Sequence, residues 1–166
     1  MAYGKGNLGG PFIKSIQRFK SGVGTQAISE VDVDNTIVVM NGVSTSTLPA
    51  EAYSGVTLTD ATTVTITSLF TSATVSFTVI EFYNLKSKQS FTTTLSAGNL
   101  STNQTISQVN ILKTFVLLHG YTNNGSGSDG ARFLPHIYLT SATNVEIVKS
   151  STLLDTTVYF DVVEVY

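Results

Sequence analysis

Thr74-Val75-Ser76-Phe77-Thr78-Val79-Ile80-Glu81-Phe82-Tyr83 returns at the end of the chain as Thr157-Val158-Tyr159-Phe160-Asp161-Val162-Val163-Glu164-Val165-Tyr166. In the first copy Val75, Phe77 and Val79 fall on one side of an extended chain. Val158, Phe160 and Val162 do so in the second. Alternation with period two marks a strand with one buried face. Other blocks repeat in the same order. Ile28-Ser29-Glu30-Val31-Asp32 returns as Ile106-Ser107-Gln108-Val109-Asn110, and Thr36-Ile37-Val38-Val39-Met40-Asn41-Gly42 as Thr114-Phe115-Val116-Leu117-Leu118-His119-Gly120. Leu58-Thr59-Asp60-Ala61-Thr62-Thr63-Val64-Thr65-Ile66 returns as Leu139-Thr140-Ser141-Ala142-Thr143-Asn144-Val145-Glu146-Ile147. The offset grows from 78 to 81 to 83, so insertions fall between the blocks, where loops belong. A duplicated unit with drifting loops predicts two copies of one small domain.

The reading is therefore an all-β chain of two tandem antiparallel β-sandwich or barrel domains, residues 15–84 and 85–166, behind an extended N-terminal arm at 1–14. Helix signals are nearly absent, while Val, Ile, Thr, Phe and Tyr recur in short runs bounded by Gly, Asn, Ser and Pro. Strands are expected near 12–20, 25–33, 36–42, 53–59, 62–68 and 73–83. In the second copy they are expected near 87–95, 104–110, 113–121, 131–140, 143–150 and 156–166. Leu-Thr-x-Ala-Thr-x-Val reads as a tight connection between the fourth and fifth strands. Domains of about 70–80 residues have thin cores. With no cysteine in the chain, packing on each other or on other copies is left to support them.

The third strand of each copy breaks the alternation. Ile37-Val38-Val39-Met40 and Phe115-Val116-Leu117-Leu118 are continuously apolar. A strand with one wet face should not read that way. Ile37, Val39, Phe115 and Leu117 are thus candidate interface residues toward the sister domain or another subunit, the alternative being cover by the domain's own loops. Glu81 and Glu164 share a face with Val79 and Val162 near a strand end. Each either reaches solvent or accepts hydrogen bonds from a loop, as a buried carboxylate must.

Charged residues make up 12% of the chain, whereas Thr and Ser number 25 and 19. Such a surface desolvates at modest cost and suits protein contact, or is simply an exposed sheet. The formal net charge of −2 provides no basic field for nucleic acid. No apolar run approaches the roughly 20 residues that span a bilayer, so no membrane insertion is expected. The first ten residues lack the apolar core of a signal peptide, which places synthesis in a cytoplasm.

No nucleotide loop, zinc triad, nucleophile elbow or calcium loop is present. His119 and His136 are the only histidines, and neither has a carboxylate beside it in sequence. The reading expects no enzyme, no cofactor and no metal, with His119 a polar residue at a strand end. Residues 1–11 hold four glycines and a proline and form a tail or an arm that orders on a partner, with Tyr3, Leu8 and Phe12 as its anchoring side chains. The stretch 122–132 is Gly- and Ser-rich and exposed. Its polar residues Asn123, Asn124, Asp129 and Arg132 are candidate ligand or receptor contacts, beside the counterpart loop at 43–53.

Ile16-Gln17-Arg18, the Ile-Ser-x-Val-Asp/Asn step, the apolar strand ending in Gly, Leu-Thr-x-Ala-Thr-x-Val and Val-x-Phe-x-Val-Ile/Val-Glu together resemble a β-sandwich module of tailed-bacteriophage and prophage structural proteins. The late strands are also loosely similar to the H-type lectin fold. The resemblance covers residues 15–166, and departs where Lys88-Gln89-Ser90-Phe91 stands for Ile16-Gln17-Arg18-Phe19. It implies a virion structural protein assembled in the host bacterial cytoplasm: a capsid decoration (cement), head-fibre or small tail component. The partners it implies are the chain itself, as a homotrimer with pseudo-sixfold symmetry, and the major capsid or tail proteins. The alternative is a tail-associated, lectin-like module that binds a host surface glycan through loops 43–53 and 121–132.

Overall fold

The structure is a computed structural model that describes residues 12–44, 53–69, 71–124 and 135–166. Among the described residues twelve strands run in order: β1 (Ile13–Gly22), β2 (Gly24–Ala27), β3 (Thr36–Ser44), β4 (Ser54–Asp60), β5 (Thr63–Ser68), β6 (Thr74–Phe82), β7 (Ser87–Leu95), β8 (Ser101–Thr105), β9 (Thr114–Asn123), β10 (His136–Ser141), β11 (Asn144–Val148) and β12 (Thr156–Glu164). All pairings are antiparallel. The chain is all-β, as the period-two blocks require.

Each half lays down the same two three-stranded layers. The first pairs β1-β6-β3 and β2-β5-β4, and the second pairs β7-β12-β9 and β8-β11-β10. Between the layers of the first half lie Val38, Val56, Val64, Ile66, Val75, Phe77 and Val79. The second half encloses Leu95, Val145, Ile147, Val158, Phe160 and Val162. Phe19 stacks on Phe77 at 5.3 Å and Phe91 on Phe160 at 5.4 Å. Offset ring pairs of this kind add to the area that they bury.

The duplication extends to polar side chains. Gln17 holds the backbone of Ser29 through both its amide oxygen and nitrogen, at 2.8 and 3.0 Å, and Gln89 holds Ser107 in the same way at 2.7 and 3.1 Å. Asp32 caps a short 3₁₀ turn at Val33–Asn35, and Asn110 caps its twin at Ile111–Lys113.

Two elements differ from the sequence reading. The strands expected at 25–33 and 104–110 end at Ala27 and Thr105. Beyond those ends, Ile28 and Val31 donate their N–H groups to Thr62 and Ala61 in the β4–β5 turn, at 2.8 and 2.9 Å, and Ile106 and Val109 repeat this on Thr143 and Ala142. Both apolar side chains then point inward at a spacing of three, which no strand allows. At the other end, β1 begins at Ile13, inside the segment assigned to the arm, because Ile13 pairs with Phe82.

Candidate functional site: the junction between the two sandwiches

The halves meet where β4 joins β9, making one six-stranded sheet β2-β5-β4-β9-β12-β7. The joint is the bridge Gly55↔Gly120. Both glycines are needed. A Cβ on Gly55 would fall on the Tyr159 ring, and one on Gly120 on the Ser54 carbonyl oxygen. Gly120 also has φ +121°, a conformation open to glycine and strained for other residues.

An apolar cluster seals the joint. Ile37, Leu85 and Val163 are buried together, with Val39, Ile80, Leu117 and Val165 packed against them. Of the four interface residues expected from the apolar strands, Ile37, Val39 and Leu117 come together here. Phe115, the counterpart of Ile37, does not; it stays 43% exposed. Further along β9, next to Gly120, the Tyr53 and Tyr121 rings meet at 5.0 Å across the junction. Burial, together with the Tyr53 hydroxyl, pushes the Tyr121 hydroxyl far above its ordinary pKa.

The junction also holds buried charge. A cleft of about 240 Å³ is lined by Thr57 and Thr59 of β4 and by Lys88, Ser90, His119 and Asp161 of the second half. His119, expected as a polar residue at a strand end, lies within β9, which runs on to Asn123. It is buried, with Nε2 3.1 Å from Asp161 Oδ2. His119 Nε2 and Asp161 Oδ1 have no hydrogen-bond partner among the described residues. Lys88 crosses from β7 and donates from Nζ to the Thr36 carbonyl at 2.7 Å. Burial lowers the Lys88 pKa against the opposing pull of Asp161, Asp34 and Asp32. The counterparts of His119 and Asp161 in the first half are Asn41 and Thr78, an exposed neutral pair bonded at 2.8 Å. Sequence missed the His119–Asp161 pair because it forms across β9 and β12 and is buried only by β4 of the other half.

Glu81 and Glu164 accept hydrogen bonds from loops rather than reaching solvent. Glu81 takes Lys14 Nζ at 2.7 Å, Ser15 Oγ at 3.1 Å and the Asp32 N–H at 2.9 Å. Glu164 takes the Asn110 N–H at 3.2 Å and Ser87 Oγ at 3.4 Å. These carboxylates clamp the capped turns of the two halves and have no part in the cleft.

A second cleft of about 240 Å³ lies beside the candidate ligand loop, lined by Thr67, Leu69, Thr122, Asn123, Asn124 and Asp155 among others. Asn123 is buried, and its Nδ2 has no partner among the described residues. Asn124 is tied to Asp155 in both directions, through Nδ2 at 2.9 Å and Oδ1 at 3.1 Å. Asp129 and Arg132 lie outside the described residues, as do Tyr3 and Leu8 of the arm. Phe12 accepts the Tyr83 N–H on its carbonyl at 2.8 Å and leaves its ring exposed. In the second half, Lys149 is fully buried and donates to the carbonyls of Leu95, Ser96 and Leu154 at 3.0, 3.1 and 2.5 Å. Its position was readable, since 149 continues the inward series Val145, Ile147.

Among the described residues no group of three His, Cys, Asp or Glu could hold a metal ion. No helix there is long and apolar enough to cross a membrane. Comparison with protein-family models, with curated proteins and with solved structures finds no match for this chain.

Proposed function

We propose that this chain is a non-enzymatic virion structural protein of a tailed phage, a capsid decoration or head-fibre protein that self-associates as a trimer and anchors by its N-terminal arm. The observation that carries the reading is the junction itself. This module associates edge to edge, by a shared strand pairing, an apolar seal and a pair of facing glycines. A module built to join its twin is suited to building larger arrays. A surface with few charges and with exposed apolar residues on both halves, Ile13 and Ile16 on one and Leu112 and Phe115 on the other, supports the same reading. Mass spectrometry and gold labelling of purified virions test it. Many copies on the head, lost when residues 1–11 are removed, are expected; absence of the protein from virions overturns the reading.

The second reading, a glycan-binding module, is favoured by one observation, the unpartnered Asn123 amide in a cleft lined by Thr, Asn and Asp side chains. Saccharide sites combine such amides and carboxylates with an apolar surface. Binding on a glycan array, abolished by Asn123→Ala, would establish it.

A further inference from the structure

The internal junction is heterologous. One surface of the first half meets a different surface of the second. The donor surface consists of the turn before β3, the start of β3 and the edge of β4. The acceptor surface consists of the edge of β9 and the outer face of β12 and β7. Because the halves are copies, the second half carries its own donor surface and the first half its own acceptor surface; Ile80 of the latter already touches the joint, while Ile16, Leu112 and Phe115 stay exposed among the described residues. A heterologous contact of this kind generates a ring or a filament when it is repeated.

The free surfaces are matched copies of the joined ones, and their differences compensate. At the joint, Leu85 packs against Ile37. The register on β6 and β12, in which Ile16 faces Ile80 as Lys88 faces Val163, with the bulge between Ile13 and Ser15, makes Phe12 the counterpart of Leu85. Phe12 and Phe115 hold those places on the free surfaces, at 59% and 43% exposure. At the joint, Lys88 sits in the field of Asp34 and bonds the Thr36 carbonyl. The same places on the free surfaces are held by Ile16 and by Leu112, at 40% and 91% exposure. A lysine on one side of the joint and an aspartate on the other have thus both been exchanged for apolar residues.

Size is exchanged in the same way. At the joint Gly55 makes room for Tyr159. The counterparts are His136 and Ser76, so a larger donor meets a smaller acceptor. Gly42, the counterpart of Gly120, keeps its glycine although nothing lies within 4 Å of the place its Cβ would occupy. At Gly120 that space is filled by the β4 backbone. The buried titratable residues His119 and Asp161 are replaced by Asn41 and Thr78, which can stand in water until covered.

We infer that copies of this chain join head to tail by repeating their internal junction, the second half of one chain docking its β9–β10 corner on β3 and β6 of the next. The inference deepens the self-association part of the reading above and does not depend on a place in a virion. Large apolar side chains left exposed together, Phe12 and Ile16 on one surface and Leu112 and Phe115 on the other, mark a partner surface.

Light scattering on the full chain tests it, with circular dichroism to confirm folding, since every substituted side chain is exposed. The wild type is expected as an oligomer at micromolar concentration. Leu112→Lys, on the donor surface, and Ile16→Lys, on the acceptor surface, should each reduce the mass to one chain. Mixed together they should give a complex of two chains and nothing larger, because one good donor meets one good acceptor and the remaining faces carry like charges. The double variant Leu112→Asp/Ile16→Lys, which rebuilds the Asp34–Lys88 arrangement, should recover the oligomer. A monomeric wild type, or variants that leave its mass unchanged, overturns the inference. Two monomeric variants that fail to pair when mixed overturn it as well, since only a twofold contact behaves that way. A monomer that is found on virions would sink this inference and spare the proposed function; a head-to-tail oligomer absent from virions would do the reverse.

Discussion

The ring of Tyr159 lies against the backbone of Gly55, and no side chain larger than hydrogen fits between them. One residue from each half thus sets the spacing at which β4 can join β9. Gly55→Ala forces the ring or the strand to move, and overpacking of this kind costs about 1–3 kcal/mol. Gly120→Ala meets the Ser54 carbonyl and also requires a side chain at φ +121°. Gly42→Ala meets nothing. Chemical denaturation at a concentration where the chain is monomeric should therefore show a clear loss for the first two variants and none for the third. Equal losses at all three would mean that the glycines serve the strands and not the junction.

The contrast between these glycines also shows what a sequence can and cannot carry. Val64 and Ile66, or Val75, Phe77 and Val79, state their burial by alternation alone, and the repeated blocks place the same strands in both halves. Glu81 and Glu164 left two outcomes open, since a carboxylate on the core face near a strand end can turn either way. The segments Ile28–Asp32 and Ile106–Asn110 misled, because β-branched residues followed by Asp or Asn look extended when they form a tethered turn. The junction was visible only as an excess of apolar character in β3 and β9. Which residues meet across it depends on the placement of β4 against β9, and that rests on tertiary packing rather than on any local pattern.

His119 and Asp161 sit where Asn41 and Thr78 sit in the first half, and this permits a transplant. His119→Ala would leave the Asp161 carboxylate buried without its neighbour, a loss of roughly 3 kcal/mol for a broken buried pair. The double variant His119→Asn/Asp161→Thr rebuilds the neutral pair that the first half already uses, at 2.8 Å. Most of the stability should return. A double-mutant cycle by thermal or urea unfolding measures the coupling. Additive single losses would show that the two side chains do not act as a pair.

Lys149 closes a different seam. Its ammonium is the only hydrogen-bonding link, among the described residues, that gathers the Leu95, Ser96 and Leu154 carbonyls onto one atom. Burial lowers its pKa, against the opposing charge of Asp155. Lys149→Met keeps most of the apolar stem of the side chain and strands three acceptors, a loss of about 2 kcal/mol or more for bonds to a charged donor. Hydrogen exchange should quicken first at Gly98, whose N–H is bonded to the Thr152 carbonyl across this seam. Unchanged exchange there would mean that the loop is held by other contacts.

Glu81 gives the chain an acid limit whose sign follows from its surroundings. Burial pushes its pKa up, but the Lys14 ammonium, the Asp32 N–H and the Ser15 hydroxyl together outweigh burial and hold it below the ordinary 4.5. A carboxylate with a lowered folded pKa binds fewer protons folded than unfolded. Its contribution is therefore complete above pH 4.5 and is lost as the pH falls through the folded value. Lys14, whose pKa the Glu81 bond raises, stays charged across that window. Glu81→Gln should cost about 1 kcal/mol near neutral pH through weakened acceptance from the Asp32 turn. It should also flatten the decline of stability below pH 4.5, where the wild type loses what the variant never had. Urea midpoints taken from pH 7 down to pH 3 measure both effects. Parallel curves for wild type and variant would place the acid limit in some other carboxylate.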